Sequence, residues 1–216
     1  MIKLTAISVV ATVATLIVSA CATLPSPQAL DAQATAAIKA AFRSEGIASA
    51  ERVVQDPSQV ACSSDKTPTD SAAEAITMAA RASVKWPTGG RYIGDWREGE
   101  KLAQNGRGLT WTDASSATAS NGGNCYNCHQ ITPQEISFGT LGPSLLNYGK
   151  LRGVSDVTAP TAQPIVEYTW MKLWNAKSYA ACSTMPRFGH AGLLDEKQIA
   201  HLMALLLDPK SPANLP

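Results

Sequence analysis

The sequence predicts a helical fold of short helices set among long loops, and three observations carry that prediction. Apolar residues recur at helical spacing in several separate stretches. Most of the 15 glycines and 13 prolines lie from Pro57 onward, so those stretches are short and widely spaced. Capping residues stand at the points where the periodic stretches begin. With 18 Lys and Arg against 17 Asp and Glu, net charge is +1 and there are few basic runs. A nucleic acid or an anionic membrane surface is therefore not the expected partner. No internal repeat is evident.

The amino terminus comes first. Lys3 precedes an uncharged apolar run from Leu4 to Val18 and then small residues, the layout of an export signal over residues 1–22. The run is shorter than the roughly 20 residues that a membrane-spanning helix needs. Two processing sites overlap at its end. Ala20-Cys21-Ala22 suits simple cleavage, whereas Val18-Ser19-Ala20-Cys21 resembles a lipobox that would leave a lipidated Cys21 at the new terminus. Either route gives a periplasmic protein in an oxidising compartment.

The remaining elements follow in order. Residues 28–45 place Leu30, Ala34, Ile38, Ala41 and Phe42 at helical spacing, with Gly46 placed to end the helix. Residues 56–69, with Pro57, Pro68 and a polar cluster, read as a surface crossing that bears Cys62. Ser71-Ala72-Ala73-Glu74 reads as a capping box opening a second helix, with Ile76, Ala79 and Ala80 on one face and an end before Trp86-Pro87. These two helices make residues 23–94 an α-helical N-terminal extension to a domain at 95–216. That domain begins with a short helix after Asp95, where Gly99 would admit close approach of another helix. An apolar helix covers Val166 to Asn175, carrying Trp170, Leu173 and Trp174. The last helix has Asp195 as N-cap and Gln198 at the third position, with Ile199, Leu202, Met203 and Leu206 on one face and Asp208-Pro209 closing it.

The pentapeptide Cys125-Tyr126-Asn127-Cys128-His129 carries the chemistry. C-x-x-C-H is the attachment pattern of a covalent haem c: the two thiols add across the vinyl groups of one macrocycle, and the adjoining imidazole ligates iron. A zinc site would want a second Cys or His pair downstream, and a thioredoxin-like centre a βαβ context; neither surrounds this pentapeptide. For the sixth ligand, Met185 in Met185-Pro186-Arg187-Phe188-Gly189 is the leading candidate, since a thioether stabilises ferrous iron and suits electron transfer. His190 and His201 compete by chemistry, Met171 and Met203 sit in periodic apolar helices, and Met78 belongs to the extension. Once Cys125 and Cys128 are assigned, Cys62 and Cys182 remain. Export favours a disulfide between them; separately buried thiols, or Cys182 as an iron ligand, are the alternatives. No nucleophile with an adjacent general base stands out, so no catalytic residue is expected.

The order of helix with glycine, C-x-x-C-H, Gly142-Pro143-Ser144-Leu145, Met-Pro and final helix resembles the class I cytochromes c over residues 95–209. That resemblance implies an all-α class I cytochrome c fold wrapped round one haem, with its first and last helices crossing. It also implies that the Pro143 carbonyl accepts the His129 Nδ1 proton, although Gly-Pro is equally a generic turn signal.

At finer grain the chain is similar to the SoxX family, the monohaem subunits of SoxAX cytochromes in bacterial thiosulfate oxidation. The residues that carry the likeness are Gly123 to His129, Phe138 to Leu145, Tyr148 to Gly153, Met185 to Gly189 and Leu202 to Pro209. The likeness implies a SoxA partner that joins thiosulfate oxidatively to a cysteine of the carrier SoxYZ. This chain would then be the electron-transfer subunit of a heterodimeric L-cysteine S-thiosulfotransferase, passing electrons to a soluble cytochrome c. A free monohaem cytochrome that only shuttles electrons is the alternative.

Overall fold

The structure is a computed structural model and describes residues 24–215. The export signal and Cys21 lie outside the described residues. The described chain is helical: a single isolated bridge, Glu45 to Ala48, is the nearest approach to a strand. Among the described residues no helix is long and apolar enough to cross a membrane.

The chain divides into two compact units, with the break after Arg43. Within the first, α1 spans Pro27–Ala41. Ser26 caps it by accepting from the Ala29 N–H at 3.2 Å, and Pro27 occupies the first turn, where no N–H is needed. The helix stops at Phe42, whose backbone is extended while its N–H still reaches the Ile38 carbonyl. It is thus shorter than the expected span to Glu45. Gly46, with φ +53°, serves the turn between Glu45 and Ala48 instead of ending a helix.

The larger unit contains α2 (Pro57–Cys62), α3 (Asp70–Ala82), α4 (Trp96–Gln104), α5 (Tyr148–Leu151), α6 (Gln163–Trp174) and α7 (Glu196–Leu207). Two local expectations need correction. Residues 57–62 are a helix and not a plain surface crossing, because Asp56 accepts from the Gln59 N–H at 2.9 Å while Gln59 accepts from the Asp56 N–H at 2.8 Å. The cap of α3 is Thr69, which accepts from the Ala72 N–H at 3.3 Å; Ser71 already lies inside the helix. By contrast Asp195 and Gln198 form the reciprocal box at the start of α7, at 2.8 and 3.0 Å.

The core forms around α7, which buries Ile199, Leu202, Met203, Leu205 and Leu206. Helix α4 crosses it at Gly99, where any Cβ would collide with the His201 carbonyl and lie 3.0 Å from Leu205 Cβ. The crossing is pinned by the Gly94 N–H on the Ala200 carbonyl at 2.9 Å and the Asp95 N–H on His201 Nδ1 at 2.8 Å. Helix α6 packs on α7 through the same cluster, which includes Val166, Trp170 and Leu173. Its two indoles also hold the segment between α3 and α4: Trp170 Nε1 donates to Lys85 O at 2.9 Å and Trp174 Nε1 to Ser83 O at 3.1 Å. Residues 44–94 fall within the larger unit. The Asn214 side chain closes the carboxyl end, accepting from Gly149 N–H at 2.9 Å and donating to Leu206 O at 3.0 Å.

Candidate functional site

The C-x-x-C-H pentapeptide forms one tight turn. Asn124 enters it in the left-handed region at φ +48°, a conformation that asparagine tolerates. The Cys128 and His129 N–H groups then both turn back to the Cys125 carbonyl, at 3.1 and 2.9 Å. This brings Cys125, Cys128 and His129 to the wall of one cavity. The two thiols are not bridged to each other. Burial, with Cys128 adding to the rise, pushes the Cys125 thiol up to about 12.

Tyr126 points away from the cavity and is buried beneath the turn. Its hydroxyl shares a hydrogen bond of 2.9 Å with Thr132 and reaches Glu100 at 3.3 Å. Burial raises the Glu100 pKa against the lowering effect of the Tyr126 bond, and Glu135 adds to the rise. The second Glu100 oxygen is buried without a partner among the described residues.

A strap from Gly139 to Pro143 lies across the turn. The Gly139 N–H donates to Tyr126 O and the Gly142 N–H to Cys128 O, both at 2.8 Å. Neither glycine has room for a side chain: a Cβ on Gly139 would strike the Asn127 carbonyl, and one on Gly142 the His129 ring. The strap ends with the Pro143 carbonyl 2.7 Å from His129 Nδ1. A carbonyl only accepts, so Nδ1 carries a proton, and in the neutral ring the lone pair is then on Nε2. Sequence reasoning did not assign these two glycines a role; the G-x-x-G-P spacing is the signal that could have found them.

The cavity has a volume of about 510 Å³ and is largely apolar, lined by Leu145, Leu173, Leu202, Leu205, Leu206 and Phe188 among others. Met185 lines it too; the other methionines of the described chain do not. Met203 is fully buried in the core and Met78 is exposed. The competing histidines stay outside: His201 Nδ1 is occupied by the Asp95 N–H, and His190 does not reach the lining. Of Trp170, Leu173 and Trp174 on α6, only Leu173 lines the cavity, while both indoles donate to the α3–α4 segment. Arg152 lines the cavity with its guanidinium carbon 3.7 Å from the centre of the Tyr148 ring, whereas Arg187 pairs with Asp56 at 2.7 Å.

Cys62 and Cys182 form a disulfide across a separation of 120 residues, so Cys182 is not free to bind a metal. It joins α2 to the loop that holds Met185, whose N–H donates to Ser183 Oγ at 3.3 Å. Disulfide and ion pair thus fix this loop on both sides of Met185.

These residues fit a covalent haem. Two unbridged cysteines and an imidazole with its Nε2 lone pair available meet an apolar cavity, and a thioether borders the same space. Among the described residues no cluster of three or more His, Cys, Asp or Glu side chains converges to hold an ion by protein ligands alone.

No family model matches the chain. It is 37% identical over 169 residues to a protein of Aquifex aeolicus (strain VF5) described as an uncharacterized lipoprotein, an alignment covering 74% of this chain and 73% of the other. By that likeness, which extends over most of both sequences, the chain belongs to the family of this Aquifex lipoprotein.

Proposed function

We propose that this chain is a c-type cytochrome of the SoxX kind, built on a class I cytochrome c fold, that transfers electrons in the periplasm. One observation carries the reading: Met185, distant in sequence from the contiguous Cys125, Cys128 and His129, borders the same apolar cavity as they do. The crossing of α4 and α7 at Gly99 supports the fold assignment. Cys125 and Cys128 would hold the haem by thioethers, and His129 and Met185 would supply the ligands to its iron. When bound, the haem supplies a one-electron couple at its iron.

The chain's own residues do the rest. Pro143 orients His129 and, by accepting its Nδ1 proton, makes Nε2 a stronger donor. The leucines exclude water and lower the local dielectric. As a ligand Met185 would exclude oxygen from the iron, and Arg152 would offer a cation to the propionates. Sulfur chemistry then belongs to a SoxA-like partner that loads a SoxYZ-like carrier, and a soluble cytochrome c takes the electrons away. The description of the relative as a lipoprotein favours Cys21 as a lipidated anchor over simple cleavage.

Affinity purification from the native host tests this reading. A second c-type cytochrome chain copurifying in fixed proportion supports it, whereas a lone monomer points to the free electron shuttle. Ready carbon monoxide binding to the reduced protein would contradict the saturated iron and with it the electron-transfer assignment.

A further inference from the structure

A second cavity of about 500 Å³ lies behind the Met185 loop, separated from the first by residues 183–186 that line both. Lys177 lines it and is only 6% exposed. Its ammonium donates to Ser58 Oγ at 2.7 Å, and among the described residues no carboxylate comes within 4.0 Å of it. Ser58 in turn donates to Asp56 Oδ1 at 2.7 Å, while Asp56 Oδ2 pairs with Arg187 at 2.7 Å. Two cations therefore share one carboxylate, which leaves a surplus positive charge on residues that line the cavity.

A buried ammonium has three donors, and Ser58 engages one of them. Leaving a buried charge without a counterion is costly, so such a site gains by taking up an anion. Burial lowers the Lys177 pKa and Arg187 lowers it further, with Asp56 opposing, the same imbalance seen from the proton's side. Ser63 and Ser183 also line the cavity; each hydroxyl accepts a hydrogen bond, from Gln55 and from the Met185 N–H, and has its own proton left to give.

We infer that this cavity is a binding site for a small tetrahedral oxyanion, with Lys177 as its principal anchor, Arg187 at its wall, and the hydroxyls of Ser63 and Ser183 as hydrogen-bond donors. Sulfate, phosphate and thiosulfate share that chemistry. The bound anion would brace the loop that carries Met185 from the side opposite the apolar cavity. The inference stands independently of the haem reading, because it rests on a different cavity and on Lys177, Arg187, Ser63 and Ser183, none of which the haem reading uses as a ligand or attachment point.

Isothermal titration calorimetry of the isolated full-length mature protein tests it, with sodium sulfate, phosphate and thiosulfate each compared with sodium chloride at equal ionic strength. One-to-one saturable binding of at least one oxyanion is expected, and the ranking of the three identifies the source the site prefers. Lys177→Met should weaken binding by about tenfold or more, and Lys177→Arg should hold it within about threefold. Should Lys177→Met fail to fold, the melting temperature of the unmodified protein is the second readout: it should rise in sulfate over equal ionic strength of chloride. No saturable heat with any of the three at millimolar concentration, unchanged affinity in Lys177→Met, or no rise in melting temperature overturns the inference. None of these readouts depends on colour, so failure here leaves the haem assignment untouched, and the converse holds.

Discussion

Removing the Cys62–Cys182 bridge by the double substitution Cys62→Ser, Cys182→Ser is the most informative perturbation of the scaffold. The bridge closes a separation of 120 residues, for which loop-closure entropy in the unfolded chain amounts to about 4–5 kcal/mol. With a urea m-value of about 2–3 kcal/mol/M, expected for a domain of this size, the unfolding midpoint should fall by about 2 M. The slope should rise as well, because the unbridged unfolded chain exposes more surface. The Arg187–Asp56 pair remains, so the Met185 loop stays folded at low temperature but loses its covalent brace. On heating the haem-loaded protein, the thioether-to-iron charge-transfer band should therefore vanish at a lower temperature than in the parent. Equilibrium urea unfolding and temperature-dependent absorption read the two effects separately. A midpoint within about 0.3 M of the parent would refute the entropic argument, and equal loss temperatures for the band would refute the brace.

Gly99→Ala should destabilise the chain by about 1–2 kcal/mol in urea unfolding, since a Cβ meets the His201 carbonyl and overpacking outweighs the roughly 1 kcal/mol gained in helix propensity. Glu100→Gln should raise stability at neutral pH. Burial lifts the folded-state pKa of Glu100, so its contribution is most favourable below the unfolded pKa and is lost as pH rises through the folded one; the parent should weaken from about pH 4 upward and the variant should be flatter in thermal melts across that range. Met185→Ala should abolish the charge-transfer band and lower the reduction potential, while His190→Ala leaves both in place; a surviving band in Met185→Ala would remove Met185 as the ligand.

What the sequence makes legible is what local chemistry decides. The Asp195–Gln198 box, the short helix after Asp95 and the small residue at Gly99 are each read from a few neighbouring residues, and the structure has them where the spacing puts them. The start of α3 is harder, because Thr69 and Ser71 are both competent caps two residues apart and only the backbone decides between them. Asp56-Pro57-Ser58-Gln59 carries a capping-box spacing, yet its prolines and polar neighbours read more strongly as a turn. Side-chain partners distant in sequence leave no local trace. Nothing near Trp170 or Trp174 says that their indoles serve Lys85 and Ser83, and nothing near His201 says that its Nδ1 serves the start of α4. The same holds for Lys177, an ordinary exposed lysine by pattern, which the packing of residues 175–178 against α3 buries. At the candidate site, Cys125, Cys128 and His129 are legible because the motif is contiguous, and Met185 because of Met-Pro; Gly139 and Gly142 need the strap to be seen in place.

The central claim is that one haem is bonded to this chain through Cys125 and Cys128. Its most direct test is extraction of the purified protein with acidic acetone, followed by the intact mass of the polypeptide. The account predicts that colour stays with the precipitate, that the mass exceeds that of the processed chain by one haem, and that a haem-bearing peptide spans residues 125–129. Free pigment in the acetone and a polypeptide of unmodified mass would contradict it.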